Sequence, residues 1–128
     1  MILTFSKQQF VERILSGTKI HTIREDKNRR WRVGRSIQFW YGNPRNKKNN
    51  PYQFASGRCI DIKEIEIDFL FDAVTFENGE TISGFKELDQ FAVNDGFVNW
   101  DFMRGWFFDT YKGYNTTFKM RLIYFVVQ

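Results

Sequence analysis

The stretch that most restricts how this chain can fold is its last strand-like run, Thr117 to Val127, TFKMRLIYFVV. From Leu122 onward apolar residues stand at consecutive positions, so both faces of an extended strand would need cover. A strand of that kind belongs in the interior of a sheet. The rest of the chain must therefore supply its neighbours and the layers that bury it.

The upstream pattern does so in a definite order. Residues 2–5 read as a short strand. Ser6 and Gln9 have the spacing of a capping box, opening a helix whose apolar face is Phe10, Val11, Ile14 and Leu15, and Gly17 provides a left-handed stop. A strand is expected around Ser36 to Tyr41, followed by a polar loop, NPRNKKNNP, over residues 43–51. From Ala55 to Phe69 the alternation is strand-like but changes parity, with Ile60 and Ile62 in one register and Ile65, Ile67 and Phe69 in the other. That predicts a bulge or corner near Lys63 and Glu64. Asn78-Gly79 marks a hairpin between Val74-Thr75-Phe76 and Thr81-Ile82. Two helices follow, about Phe85 to Asn94 and, capped by Asn99, about Trp100 to Tyr111. This order fits one α+β domain over residues 1–128 better than a doubly wound sheet, and we expect a mostly antiparallel β-barrel of five or six strands with about three helices.

Composition narrows the chemistry. With 42% hydrophobic residues in 128, a core of ordinary size can form without cross-links. Cys59 is the only cysteine and His21 the only histidine, so one chain assembles neither a disulfide nor a Cys/His zinc tetrad, and no metal site or cofactor is expected. Cys59, inside a strand, reads as a small core residue. There is no Gly-rich phosphate loop and no Gly-x-Ser-x-Gly elbow. No apolar run approaches the roughly 20 residues of a membrane span, and the opening residues lack the order of a signal peptide, so a cytoplasmic protein with no membrane partner is expected.

Charge is unevenly placed. Residues 7–48 hold 12 Lys and Arg against 3 Asp and Glu, a net of +9, whereas residues 49–128 hold 7 against 12, a net of −5. A basic half is an electrostatic footprint for a polyanion such as RNA, or else a solvated face. Within it Lys27, Arg29, Arg30, Arg32 and Arg35 surround Trp31. That composition suits phosphate contacts with one stacking surface; the alternative is a solvated loop with Trp31 tucked into the barrel. Phe39-Trp40-Tyr41 and Trp106-Phe107-Phe108 read as core and semi-exposed packing.

The densest cluster of reactive side chains is Gly17 to Arg24. Fully extended, it would put Thr22 and Arg24 on one face and Lys19 on the other. A bend between Lys19 and Thr22 would set a lysine beside a hydroxyl, the pairing that a lysine-activated threonine nucleophile requires; otherwise Lys19 simply suits the negative end of the preceding helix. Asp95 ends a helix just before Gly96, where the dipole disfavours a carboxylate, so it either serves a site or caps the next turn.

Gly17-x-Lys19-x-x-Thr22-x-Arg24, then Trp31-x-Val33-Gly34, then Ala92-x-x-Asp95-Gly96-Phe97, resembles the pattern of the ASCH domains, barrels related to the PUA fold. The likeness runs over most of the chain, with residues 43–53 resembling a loop insertion. It implies a PUA-like barrel with a cleft beside the Gly-x-Lys-x-x-Thr-x-Arg segment and a role in handling RNA or modified nucleosides. In one branch of these domains, which hydrolyses N4-acetylcytidine, a lysine, a threonine and a glutamate are implicated. Lys19 and Thr22 fall on the first two, and Asp95 stands at the glutamate's position, one methylene shorter.

Two functions follow as expectations. One is an RNA- or nucleoside-binding module in which Lys19, Thr22, Arg24 and Asp95 line the cleft and Lys27, Arg29, Arg30, Trp31, Arg32 and Arg35 contact nucleic acid. The other is an amidohydrolase with Thr22 as nucleophile, Lys19 as base and Asp95 as orienter. A protein-interaction role with a vestigial cleft is the remaining alternative. Arg24 is expected to enter the cleft and pair with an internal carboxylate such as Asp95. Lys19 is expected to stay mostly charged beside that carboxylate, which favours binding over catalysis.

Overall fold

A computed structural model describes residues 1–113 and 115–128. The elements run β1 (Ile2–Phe5), α1 (Gln8–Ser16), β2 (His21–Arg24), β3 (Ser36–Tyr41), β4 (Tyr52–Asp68), β5 (Ala73–Phe76), β6 (Thr81–Ile82), α2 (Phe85–Asn94), α3 (Trp100–Thr110) and β7 (Thr117–Val127). The chain is α+β: three α-helices pack on one mixed sheet of seven strands. A single 3-10 turn at Lys47–Asn49 lies in the polar loop.

The sheet is organised around β4, whose 17 residues are too many for one partner. One edge of β4 takes β3 along Tyr52–Arg58 and β5 along Ile65–Asp68, while the other edge takes β7 along Gly57–Asp68. Outside β7 lies β2, and outside β3 lies β1, in parallel pairing where the other ladders are antiparallel. As its composition demands, β7 is central: Leu122 and Ile123, on opposite faces, are both fully buried.

The closed barrel of five or six strands is corrected to an open sheet of seven. The ladder leaves β1 and β2 as unpaired edges facing each other, and no sheet hydrogen bonding joins them among the described residues. The bulge in β4 falls between Cys59 and Asp61, not at Lys63 and Glu64. Ile60 is the extra residue and turns to solvent, so although Cys59, Ile65 and Ile67 share sequence parity, Cys59, opposite Phe125, lies on the other face of the sheet from Ile65 and Ile67, opposite Met120 and Phe118.

The capping box also fails. Helix α1 begins one residue later than that motif requires, with Lys7 at the cap position and no side-chain cap, so Ser6 stands outside the helix. Leu15, placed on the apolar face by spacing, is 57% exposed, because the sheet covers only Phe10, Val11 and Ile14. Other local signals hold. Gly17 ends α1 at φ 84°, Gly79 turns the β5–β6 hairpin at φ 92°, and the Asn99 side chain accepts from Phe102 N at 3.0 Å at the start of α3. Among the described residues no helix is long and apolar enough to cross a membrane.

Candidate functional site

After Gly17 the chain doubles back across the end of α1, where Lys19 N donates to Arg13 O at 2.9 Å. One residue on, Ile20 N donates to Asn94 O at 2.8 Å, which fastens the start of β2 to the C-terminus of α2. These two bonds bring Lys19 and His21 against Asp95, more than seventy residues away in sequence. Gly96 makes the approach possible: it sits at φ +99°, and a Cβ there would lie 2.8 Å from both Lys19 Cδ and Phe10 Cδ1.

Among the described residues, the buried polar and charged ones are Lys19, His21, Thr22 and Asp95, and all four belong to this one cluster. The Lys19 ammonium, 2% exposed, donates to His21 O at 2.8 Å and to Asp95 O, and lies 3.6 Å from Asp95 Oδ1. It also sits over the rings of Phe10 and Phe5, 5.2 and 5.6 Å from their centroids. His21 Nδ1 is 2.9 Å from the same carboxylate oxygen, and its ring is packed between Phe91 and Tyr124. Burial pushes the Lys19 pKa down from 10.5 to about 8, with Asp95 opposing the fall and Arg24 adding to it.

In front of this cluster is a cavity of about 300 Å³ at the gap between β1 and β2. Lys19, Thr22 and Asp95 form its floor, Arg24 crosses it, and Phe5, Phe97, Trp106 and Tyr111 form much of its wall. Arg24 bridges the two unpaired edges: its Nη2 donates to Thr4 O at 3.0 Å, its Nε to Thr22 Oγ1 at 3.3 Å, and its guanidinium stacks 5.1 Å over the Phe5 ring. Burial lowers the Arg24 pKa, while Asp95 and Tyr111 raise it. The expected carboxylate partner is thus replaced by a backbone carbonyl and a hydroxyl, while Asp95 Oδ1 is engaged by Lys19 and His21.

No known protein family, curated protein or solved structure matches this chain. Its chemistry has to be read from the site itself.

The structure thus brings Lys19, Thr22, Arg24 and Asp95 together and sets the basic loop apart, for none of Lys27, Arg29, Arg30, Trp31, Arg32 and Arg35 lines this cavity. Trp31 is corrected from a stacking surface to a core residue: it is 6% exposed, drawn in where its backbone N–H donates to Asp26 and its carbonyl accepts from Arg121. The loop's cations are exposed. Lys27 pairs with Glu25 at 3.2 Å, Arg29 with Glu64 at 2.8 Å, and Arg35 donates to Arg30 O at 3.0 Å, so Arg30 and Arg32 are the side chains left for an outside phosphate.

Sequence reasoning missed His21 and the aromatic wall. Trp106 and Phe107, read as packing, both face the cavity. A usable signal was Phe97, directly after Asp95-Gly96. Among the described residues no group of three His, Cys, Asp or Glu is placed to hold a metal ion.

Proposed function

We propose that this chain binds a nucleoside-sized, planar ligand in the cavity between β1 and β2, as its resemblance to the PUA-like ASCH domains implies. The observation that carries the reading is the pairing of an aromatic wall with one crossing guanidinium: Phe5, Phe97, Trp106 and Tyr111 line the cavity, and Arg24, stacked on Phe5, offers a cation and spare N–H groups. A cavity of about 300 Å³ lies at the small end of ligand sites, which suits a single nucleoside rather than a strand of polymer. Where the nucleoside is displayed by RNA, Arg30 and Arg32 supply the phosphate contacts.

Binding is favoured over hydrolysis by where the hydrogen bonds go. Lys19 directs its ammonium at two backbone carbonyls and Asp95, and the side-chain hydrogen bond at Thr22 Oγ1 is donated to it by Arg24. Among the described residues nothing accepts the Thr22 proton, as a general base would.

Calorimetric titration with cytidine and N4-acetylcytidine, beside an acetate-release assay, tests this. At about 0.3 kcal/mol for each of about 17 non-hydrogen atoms, the expected Kd for cytidine is about 0.2 mM, weakened at least tenfold in Arg24→Ala. Little or no acetate is expected. Absence of binding would overturn the proposal, and rapid acetate release, lost in both Lys19→Ala and Thr22→Ala, would make the chain an amidohydrolase instead. Affinity for single-stranded RNA is expected to fall with salt and to lose slope in an Arg30→Ala, Arg32→Ala double variant.

A further inference from the structure

The cavity lies where two edge strands fail to pair, and edges expose backbone hydrogen-bonding groups. An antiparallel ladder turns the N–H and C=O of alternate residues toward the partner strand and those between them away from it. In the β2–β7 ladder Phe125 N donates to Ile20 O at 3.2 Å, and with the register His21 to Tyr124 this makes Thr22 and Arg24 the bonded residues. His21 and Ile23 therefore turn their backbone groups into the gap, in agreement with the Lys19 ammonium found on His21 O. Across the gap, Gln38 N donates to Met1 O and Gly42 N to Phe5 O, so Met1, Leu3 and Phe5 bond to β3, while Ile2 and Thr4 face β2. Arg24 takes Thr4 O. What the ladders leave turned toward the cavity is the N–H and C=O of Ile23 and, opposite, the N–H of Thr4; both residues line it.

We propose that these backbone groups are the recognition edge of the site, and that they pair with the Watson–Crick edge of a pyrimidine. This rests on the nucleoside reading and specifies which part of the nucleoside enters. A donor and an acceptor side by side on one residue match N3 and the N4 amino group of cytosine, or N3–H and O4 of uracil; purine edges carry equivalent pairs, and it is the small cavity of about 300 Å³ that favours the single ring. Groups buried at the back of a cavity must find partners, and a purely apolar ligand would leave them stranded. The Ile23 side chain points into the core, so discrimination at this edge does not depend on any side chain of β2 beyond Thr22 and Arg24.

Amide hydrogen exchange followed residue by residue by NMR, with uridine, 3-methyluridine and 5-methyluridine as probes, tests the inference. In the free protein the Ile23 and Thr4 amides are expected to exchange at least about tenfold faster than the ladder-bonded amides of Thr22 and Leu3. Uridine and 5-methyluridine are expected to slow Ile23 exchange and to bind alike. 3-Methyluridine, blocked on the proposed edge, is expected to bind on the order of tenfold more weakly. An Ile23 amide already protected in the free protein overturns the proposal. So does equal binding of uridine and 3-methyluridine, which leaves the nucleoside reading standing. Failure of all three nucleosides, and of cytidine beside them, to bind overturns both.

Discussion

Lys19 is a cation held almost out of contact with water, and its cost is expected to appear as a stability that rises with pH. Burial lowers its folded-state pKa from 10.5 to about 8 even with Asp95 beside it. Below about pH 8 the amine is protonated in both folded and unfolded chains, and the full penalty is present. Between about 8 and 10.5 the unfolded chain keeps the proton and the folded one releases it, so stability increases with pH across that window and levels off above it. The difference between 10.5 and about 8, at about 1.4 kcal/mol per pH unit, is worth about 3 kcal/mol. Urea unfolding followed by tryptophan fluorescence at several values from pH 7 to pH 10.5 reads it. Tyrosines and exposed lysines titrate in the same range, so the parent is compared with Lys19→Met, a side chain of similar length without the charge. The variant loses the donor to His21 O and Asp95 O, but that offset does not titrate in the window. Relative to the variant, the parent is expected to gain about 3 kcal/mol between pH 7 and pH 10.5. A difference constant to within about 0.5 kcal/mol would refute the reasoning and mean that Lys19 is hydrated or fully compensated. The same pKa leaves about one molecule in ten with a neutral amine at pH 7, enough for a general base, so it is the direction of the hydrogen bonds at Lys19 and Thr22, not the pKa, that favours binding.

Gly96→Ala is expected to cost about 1–3 kcal/mol in the same denaturation assay, since it combines a left-handed backbone with a Cβ inside contact distance of Lys19 and Phe10; unchanged stability would show that Lys19 has another way in. Trp31→Ala is expected to destabilise by about 3–5 kcal/mol, whereas Arg30→Ala and Arg32→Ala stay within about 0.5 kcal/mol, and the reverse order would return Trp31 to the surface.

Elements governed by their own residues are legible in the sequence. The left-handed stop at Gly17, the Asn78-Gly79 hairpin, the Asn99 cap and the doubly apolar β7 each depend on side chains within a few positions, and each stands where the pattern puts it. The same is true of the site's components: Lys19, Thr22, Arg24 and Asp95 are identifiable as a dense reactive segment and a carboxylate set against its helix dipole. The sequence determined those pieces because propensity, alternation and turn chemistry act locally.

What only the tertiary structure decided was the company these residues keep. Ser6 and Gln9 have capping-box spacing, yet Lys7 starts the helix and Ser6 lines the cavity instead. Trp31 sits in a run of arginines that reads as a nucleic-acid surface, but its ring is core, because Asp26 and Arg121 fold the loop inward from 5 and 90 residues away. His21, a lone histidine at the start of β2, carries no sign of the carboxylate that reaches it across 74 residues. The gap between β1 and β2 is likewise invisible in either strand, since whether two edges pair depends on the twist and spacing that β3, β4 and β7 impose between them. Burial, ion pairing and the cavity arise from contacts between distant segments, whose balance is settled only when the whole sheet is assembled.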